Sequence, residues 1–220
     1  MVILGYVLTL IIGYLLGSIP TGFLVAKTRG LDIRTVGSGN IGATNVFRYL
    51  GKPAGIFVLV ADALKGWVAV AVVANLVLLW FFPDANETAR DALKVSTGMA
   101  AILGHNFTCW LNFKGGKGIA TSAGVLIALV WPALLIILGL WVVVFALTRY
   151  VSLASICAAA ALPFATWLTH ESVAMIAVTG GIAALAIYKH RGNIKRLLNG
   201  TENRISFKKS AAPAGGPRQP

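Results

Sequence analysis

The chain has 220 residues, of which 57% are hydrophobic and only 12% charged, and its mean hydropathy is +0.80. Soluble domains are far less apolar, so the composition excludes a soluble protein and predicts an integral membrane protein with several spans. The net charge of +12 predicts basic cytoplasmic loops and no nucleic-acid partner, because Lys and Arg are enriched on the cytoplasmic side of membrane proteins.

Six apolar runs follow one another along the chain, and a spanning helix needs about 20 such residues. They cover residues 2–26, 54–82, 93–111, 122–147, 153–169 and 173–188. The first run has no basic leader and no small-residue cleavage pattern, so we interpret it as a retained first span. Residues 1–207 are expected to form a single transmembrane domain, and the Pro- and Gly-rich residues 208–220 a disordered tail.

Basic residues concentrate in three segments between these runs. The segments lie after the first run, with Lys27, Arg29, Arg34, Arg48 and Lys52, around Lys114 and Lys117, and after Tyr188. Four of the seven acidic residues lie in the other connections, at Asp84, Glu87, Asp91 and Glu171. The positive-inside rule therefore places all three basic segments and the C-terminus in the cytoplasm, and the N-terminus outside.

The number of spans follows from this assignment. An even number of crossings must separate Lys117 from His190, yet three apolar runs lie between them. Because proline disfavours helical geometry in the residue before it, we expect the run at 122–147 to turn at Trp131-Pro132, which gives seven transmembrane helices in an all-α bundle. The alternative of five spans keeps that run as one helix and requires the last two runs to make one net crossing.

The sequence GSGNIGATN at 37–45 opens with the G-x-G-x-x-G spacing of dinucleotide-binding turns. Such a turn follows a strand in a soluble βαβ unit, whereas here the preceding element is a membrane helix, so the spacing is a coincidence. The glycines instead allow backbone N–H groups to approach an anion, and the interleaved Ser, Asn and Thr residues add neutral donors. Arg48 supplies a charge.

Two further segments repeat this mixture of small, polar and basic residues. They are GHNFTCWLNFKGGKGIATS at 104–122 and HRGNIKRLLNGTENRI at 190–205. Three such segments at one face predict an anion pocket at the lipid boundary; the alternative is that they are ordinary anchors for lipid headgroups. Lys195 and Arg196 are expected to contact anionic lipid.

Asp62 and Lys65 are expected to form an ordinary pair at the interface or, alternatively, to orient the adjacent loop.

In these three motifs, and in RYVSLAS at 149–155, the sequence resembles the bacterial membrane glycerol-3-phosphate acyltransferases that use acyl phosphate, the PlsY family. The resemblance spans the chain apart from the tail. It implies transfer of a fatty acyl group from acyl phosphate to the 1-hydroxyl of glycerol 3-phosphate, giving lysophosphatidic acid and phosphate, the first step of bacterial phospholipid synthesis. It also implies a multi-pass protein of the bacterial cytoplasmic (inner) membrane with its active site at the cytoplasmic face.

The site residues follow as hypotheses from the resemblance and the three motifs. The expected catalytic residues are Ser38, Arg48, Lys114, Ser152, His190 and Asn193. The residues expected to bind substrate phosphates are Gly37, Gly39, Asn40, Thr44, Asn45, Gly115, Gly116, Lys117 and Arg191. Those expected to support them from behind are His105, Asn106 and Glu202. The expected partners are acyl phosphate, glycerol 3-phosphate and membrane lipids, with no obligate protein partner.

The residues also bear on the mechanism and on one other function. The H-x-x-x-x-D dyad of other acyltransferases is absent, because Trp110, Met175 and Lys195 stand five residues after the three histidines. The seven acids are scattered, so no metal and no cofactor are expected. An acyl phosphate is already activated, which favours direct attack without a covalent acyl-enzyme; the hydroxyl proton goes either to His190 or to the donor phosphate. The alternative function is a transporter or channel for a small organic phosphate.

Overall fold

The computed structural model describes residues 2–205, and these form α-helices joined by short loops, with no β-strand among them. In chain order the helices are Val2–Ser18 (α1), Thr21–Lys27 (α2), Ala43–Leu50 (α3), Lys52–Val68 (α4), Asn75–Phe81 (α5), Glu87–Asn106 (α6), Ile119–Thr148 (α7), Val151–Leu168 (α8), Val173–Lys189 (α9) and Arg191–Leu198 (α10). A π-helical stretch, Ala69–Ala74, joins α4 to α5. The all-α prediction is confirmed for residues 2–205. The tail expected at 208–220 lies outside the described residues.

Most of these helices are long and apolar. Within residues 2–205, the segments with the length and composition of a membrane span are Ile3–Lys27, Lys52–Phe81, Ile119–Thr148 and Val151–Leu168. A fifth is obtained if Val173–Lys189 and Arg191–Leu198, bent by 57° relative to each other, count as one. Large apolar side chains such as Leu79, Leu147 and Val173 are exposed on the outside of the bundle, as lipid contact requires. By length and composition alone the described residues therefore contain four such spans, or five with the bent pair, and the seven spans expected from the sequence, with five as the alternative, stay a prediction.

The helices of the bundle approach one another closely where glycines face a neighbouring backbone. At the crossing of α4 and α7, a Cβ atom added to Gly124 would lie 1.8 Å from the carbonyl oxygen of Ala63, and one on Gly66 would lie 2.2 Å from that of Thr121. Small residues allow this contact, which is how membrane helices commonly pack because lipid provides no hydrophobic drive for their association. The first half of α7 is thereby fixed against α4.

Helix α7 is not straight. Val130 has φ −145° and ψ 55°, which is not helical, and Pro132 follows two residues later. A straight helix of 30 residues would be about 45 Å long. Instead Lys117, just before α7, and Ser152, just after it, are joined by three consecutive hydrogen bonds through Asn193 and Glu202. The two ends of α7 therefore lie at the same site, and the helix bends back at Val130, close to the Trp131-Pro132 position expected to turn.

Candidate active site

The first motif forms a loop that is shaped by Asn45. The side-chain amide of Asn45, 2% exposed, donates to the carbonyl oxygens of Ile33, Val36 and Asn40 at 3.0–3.1 Å. Its oxygen accepts from the Ser38 N–H at 3.2 Å. Gly37 and Gly39 have φ +58° and +66°, a region that glycine enters without strain. Asn45 thus fixes the conformation of the loop. Its amide is used in these hydrogen bonds and, contrary to the expectation from the sequence, is not free to bind a substrate phosphate.

The second motif forms a glycine loop, residues 115–118, that lies on the end of α6. The Gly116 N–H donates to the His105 carbonyl at 3.0 Å and the Gly115 N–H to the Asn106 carbonyl at 3.3 Å. A Cβ atom on Gly116 would lie 2.1 Å from His105 Nε2, so only glycine fits over the ring. Both N–H groups are used within the protein, and these glycines shape the loop rather than donate to an anion.

The third motif runs from the end of α9 into the segment 199–205. His190 is 3% exposed, and its Nδ1 lies 2.8 Å from the Ala186 carbonyl oxygen. Because a carbonyl only accepts, Nδ1 carries the proton and Nε2 is left as an acceptor. Glu202 accepts from Ser152 at 2.9 Å, Asn193 at 2.8 Å and Arg196 at 2.7 Å.

The third motif contacts each of the other two. The Arg48 Nη2 donates to the Asn203 carbonyl at 3.1 Å, and the Ile205 N–H donates to the Arg149 carbonyl at 3.0 Å. Lys117 donates to the side-chain oxygen of Asn193. Side chains from every motif therefore meet at one place at the end of the bundle.

A large cavity opens from this place into the bundle, and we call it the apolar cavity. Its volume is about 630 Å³. Its polar mouth is lined by Ser38, Arg48, Lys117 and Ser152, and its body by apolar side chains of α4, α7, α8 and α9 that include Leu59, Leu126, Ile137, Leu162 and Ile182. Inside the body Trp141 donates to the Ser155 hydroxyl at 3.1 Å. The cavity has the shape required by an amphiphile with a polar head and a long tail.

A second, smaller cavity adjoins the first, and we call it the basic pocket. Its volume is about 320 Å³. The residues that line it include four cations, Lys117, Lys189, Arg191 and Arg196, and none of the described lining residues is acidic. Ser38, Asn40, Lys117 and Asn193 line both cavities. A small phosphate-bearing molecule in the basic pocket would therefore lie next to the head of a molecule in the apolar cavity.

The charges at the mouth perturb one another. Burial, together with the nearby Arg196 and Arg48, lowers the pKa of Lys117 to about 8 against the opposing effect of Glu202. Burial also lowers the pKa of Arg48. For Glu202 burial raises the pKa, but the hydrogen bonds from Asn193, Arg196 and Ser152 outweigh it and the pKa is lowered. The free site therefore has an excess of positive charge only partly balanced by Glu202, which is the state that attracts anions.

The structure brings most of the expected residues to these two cavities. The apolar cavity is lined by Ser38, Asn40, Thr44, Asn45, Arg48, His105, Lys117, Ser152, His190, Asn193 and Glu202, and the basic pocket also by Gly115, Gly116 and Arg191. Gly37, Gly39 and Asn106 line neither, although they lie beside residues that do. Lys114 is exposed and lines neither cavity, because the loop turns Lys117 inward and Lys114 outward.

Sequence reasoning missed several residues of the site. Lys189 and Arg196 line the basic pocket, although Arg196 was expected to contact lipid; its partner Glu202 draws it inward. Asp62 and Lys65 form an ion pair of 2.9 Å that is buried rather than interfacial, with side chains 3% and 5% exposed. Within residues 2–205, no three or more His, Cys, Asp or Glu side chains are placed to hold a metal ion.

The chain is similar to known proteins over almost its whole length. A sequence family described as glycerol-3-phosphate acyltransferase matches residues 7–200. A glycerol-3-phosphate acyltransferase of Geotalea daltonii is 50% identical over 89% of this chain and 96% of its own length. One of Chlorobaculum tepidum is 42% identical over 93% of this chain and 98% of its own.

Solved structures resemble the fold as well. A crystal structure of PlsY (YgiH), an integral membrane glycerol 3-phosphate acyltransferase in its glycerol 3-phosphate form, is 40% identical, with a TM-score of 0.80 over 91% of this chain and 96% of that one. The lysophosphatidic acid form of PlsY is 39% identical, with a TM-score of 0.78 over 91% and 95%. The helical bundle, the paired cavities and these similarities define an integral membrane acyltransferase. The chain belongs to the glycerol-3-phosphate acyltransferase family, and the transporter alternative is not favoured.

Proposed function

We propose that this enzyme transfers a fatty acyl group from an acyl phosphate to the 1-hydroxyl of glycerol 3-phosphate, giving lysophosphatidic acid and inorganic phosphate. The observation that carries the proposal is the pair of adjoining cavities, one basic and one largely apolar, that share Ser38, Asn40, Lys117 and Asn193. A basic compartment suits a small phosphate ester, and an apolar one suits an acyl chain. The shared residues mark where the two substrates would react.

Glycerol 3-phosphate is assigned to the basic pocket. Lys117, Lys189, Arg191 and Arg196 surround that pocket with positive charge, and guanidinium groups bind phosphate oxygens in pairs. Asn40 and Asn193 add neutral polar groups at the boundary with the apolar cavity. The phosphate would lie among the cations and the 1-hydroxyl would face the shared boundary.

The acyl phosphate is assigned to the apolar cavity, with its tail between α4, α7, α8 and α9. Its phosphate would lie at the mouth, near Arg48 and near Gly118, Ile119 and Ala120 at the start of α7. The first N–H groups of a helix have no partner within the helix and carry a partial positive charge, so they bind phosphate readily. Thr44, on the first turn of α3, lies at the same mouth.

The reaction would be a direct displacement. The 1-hydroxyl oxygen attacks the acyl carbonyl carbon, the ester C–O bond forms, and the bond from that carbon to the phosphate oxygen breaks. The departing phosphate takes the bonding electron pair and the hydroxyl proton. His190 Nε2, an acceptor because Nδ1 donates to Ala186, would orient the hydroxyl, and the nearby cations would stabilise the developing negative charge.

The same arrangement supports seven membrane crossings, with the N-terminus outside and the site at the cytoplasmic face of the bacterial inner membrane. The bend at Val130 returns α7 to the face at which it begins, so its two halves would count as two short spans. The motif segments then share the side on which Lys and Arg concentrate, in agreement with the positive-inside rule. Helix α6, with Glu87, Arg90 and Asp91 in its first turns, would be a further span, and its charged end would lie at the outer surface.

The choice of donor is tested with purified protein in detergent. With glycerol 3-phosphate and palmitoyl phosphate we expect equal amounts of lysophosphatidic acid and phosphate, and with palmitoyl-CoA no product. Arg48→Ala should abolish the reaction because Arg48 lies at the mouth of the apolar cavity, whereas Arg29→Ala, an exposed arginine that lines neither cavity, should leave it unchanged. Product from palmitoyl-CoA alone would contradict the proposed donor.

The pH dependence of glycerol 3-phosphate binding follows from Lys117. Its pKa of about 8 means that the ammonium is charged below that pH and loses its charge above it, while a phosphate ester with its second pKa at about 6 is already fully ionised. We expect the KM for glycerol 3-phosphate to rise above pH 8, by up to about tenfold for each further pH unit. Lys117→Arg should flatten this rise because guanidinium stays charged. A wild-type KM that does not change up to about pH 9.5 would contradict the assignment.

A further inference from the structure

A buried polar cluster lies beneath the glycine loop, and the proposed reaction does not use it. It consists of Thr21 on α2, Asp62 and Lys65 on α4, and His105 near the end of α6. The Asp62 Oδ1 lies 2.9 Å from Lys65 Nζ and 3.7 Å from His105 Nδ1, and Thr21 donates to it at 3.1 Å. One carboxylate oxygen therefore faces polar groups from three helices.

The location of this cluster indicates a function. Asp62, Lys65 and His105 are 2%, 5% and 5% exposed, and charges buried in an apolar helical bundle are costly and are commonly retained for a specific task. Lys65 also donates to the Ile19 carbonyl at 2.9 Å, so both members of the ion pair are anchored. Asp62 and His105 both line the apolar cavity.

His105 links the cluster to the glycine loop. Its carbonyl accepts from the Gly116 N–H at 3.0 Å, and a Cβ atom added to residue 116 would lie 2.1 Å from the His105 Nε2. The ring therefore packs directly against Gly116, the residue before Lys117 at the boundary of the two cavities.

The chemistry of Asp62 selects one orientation and one protonation state of the ring. A carboxylate only accepts, so a neutral His105 ring that faces it carries its proton on Nδ1 and has none on Nε2. A ring without a proton on Nε2 can pack closely against the Gly116 Cα. The Nδ1 atom is buried and makes no hydrogen bond within residues 2–205, since Asp62 lies 3.7 Å away, and contacts of this kind often shorten when substrate binds.

We propose that Asp62 is a positioning residue that orients His105 and, through the glycine loop, sets Lys117 in place for binding glycerol 3-phosphate. This inference rests on the proposed function for its kinetic readout. It assigns to the ion pair of α4 a role in substrate affinity, in addition to its role in holding α2, α4 and α6 together.

The test compares two double variants, both without the ion pair. Asp62→Leu with Lys65→Met leaves no acceptor for His105, whereas Asp62→Asn with Lys65→Met keeps an oxygen at the same place. We expect the first to raise the KM for glycerol 3-phosphate by about tenfold, because the His105 ring loses the carboxylate that orients it, with little change in kcat. The second should stay near wild type. Equal KM values in the two variants would overturn the inference.

A second measurement needs neither activity nor a substitution in the cluster. The chain has three histidines, so ¹⁵N spectra of the full-length protein in detergent can be assigned by replacing His170 and His190 in turn. We expect the His105 ring to be neutral with its proton on Nδ1, and any proton on Nε2 overturns the inference. Wild-type protein that forms no lysophosphatidic acid would contradict the proposed function instead, and leaves this spectrum as the deciding test of Asp62.

Discussion

Replacing Lys117 with Met is expected to lower kcat/KM by about two to three orders of magnitude. This is the loss typical of removing one preorganised hydrogen-bond donor that stabilises developing negative charge in a catalytic site. Lys117 lines both cavities and is bound to Asn193, so its charge lies where the two phosphates would meet. Folding should be unaffected, because the charge that remains on Glu202 is still paired with Arg196. Steady-state rates with glycerol 3-phosphate and palmitoyl phosphate measure the effect.

Lys114 provides the matched control. It lies three residues away in the same glycine-rich segment, but it is exposed and lines neither cavity. Lys114→Met should therefore leave kcat/KM within about threefold of wild type, as expected of a surface charge outside the site. A larger loss from Lys114→Met than from Lys117→Met would show that the sequence-based choice of Lys114 as the catalytic lysine is right and the assignment of Lys117 is wrong.

Gly124→Val is expected to prevent the bundle from folding. The added Cβ would lie 1.8 Å from the Ala63 carbonyl oxygen and 2.9 Å from the Trp67 nitrogen, and backbone atoms in a helix cannot move aside without separating α4 from α7. Overpacking of this kind costs on the order of 3 kcal/mol or more, a large part of the usual stability of a protein. The measurements are the yield of monodisperse protein in detergent and its thermal unfolding temperature.

The control for this change lies on the same helix. A Cβ atom on Gly139 meets nothing within 4 Å, so Gly139→Val adds the same side chain to α7 without a contact. We expect its unfolding temperature to be close to that of wild type. If the two variants unfold at the same temperature, the close crossing of α4 and α7 does not stabilise the bundle.

The motif segments could be predicted from the sequence because their signal is local. Glycine, asparagine and lysine at close spacing favour an anion site, and Ser38, Arg48, Lys117 and His190 do line one cavity. The charge distribution also predicted a turn near Trp131-Pro132, and the helix bends at Val130. Both inferences use neighbouring residues or the sidedness of charge along the chain, which do not depend on details of packing.

The parts that could not be predicted depend on contacts between distant residues. Asn45 is of a residue type that commonly binds phosphate, but its amide donates hydrogen bonds to the carbonyl oxygens of Ile33 and Val36, nine or more residues earlier. Spacing of three residues predicted the pairing of Asp62 with Lys65, but not their burial, which results from the packing of α2 and α6 against α4. Arg196 points inward because the irregular segment 199–205 folds back and places Glu202 beside it. Hydrophobic periodicity does not predict the path of an irregular segment.

The segment 199–205 also determines when the enzyme becomes competent during its synthesis. Glu202, Asn203 and Ile205 leave the ribosome after every long apolar helix, and they supply the contacts to Ser152, Arg48 and Arg149 that complete the mouth. A nascent chain inserts in order from its N-terminus, so these contacts are the last to form. A translation product that ends before Glu202 would reside in the membrane as an inert protein, and a reporter fused to the enzyme must be attached beyond Ile205.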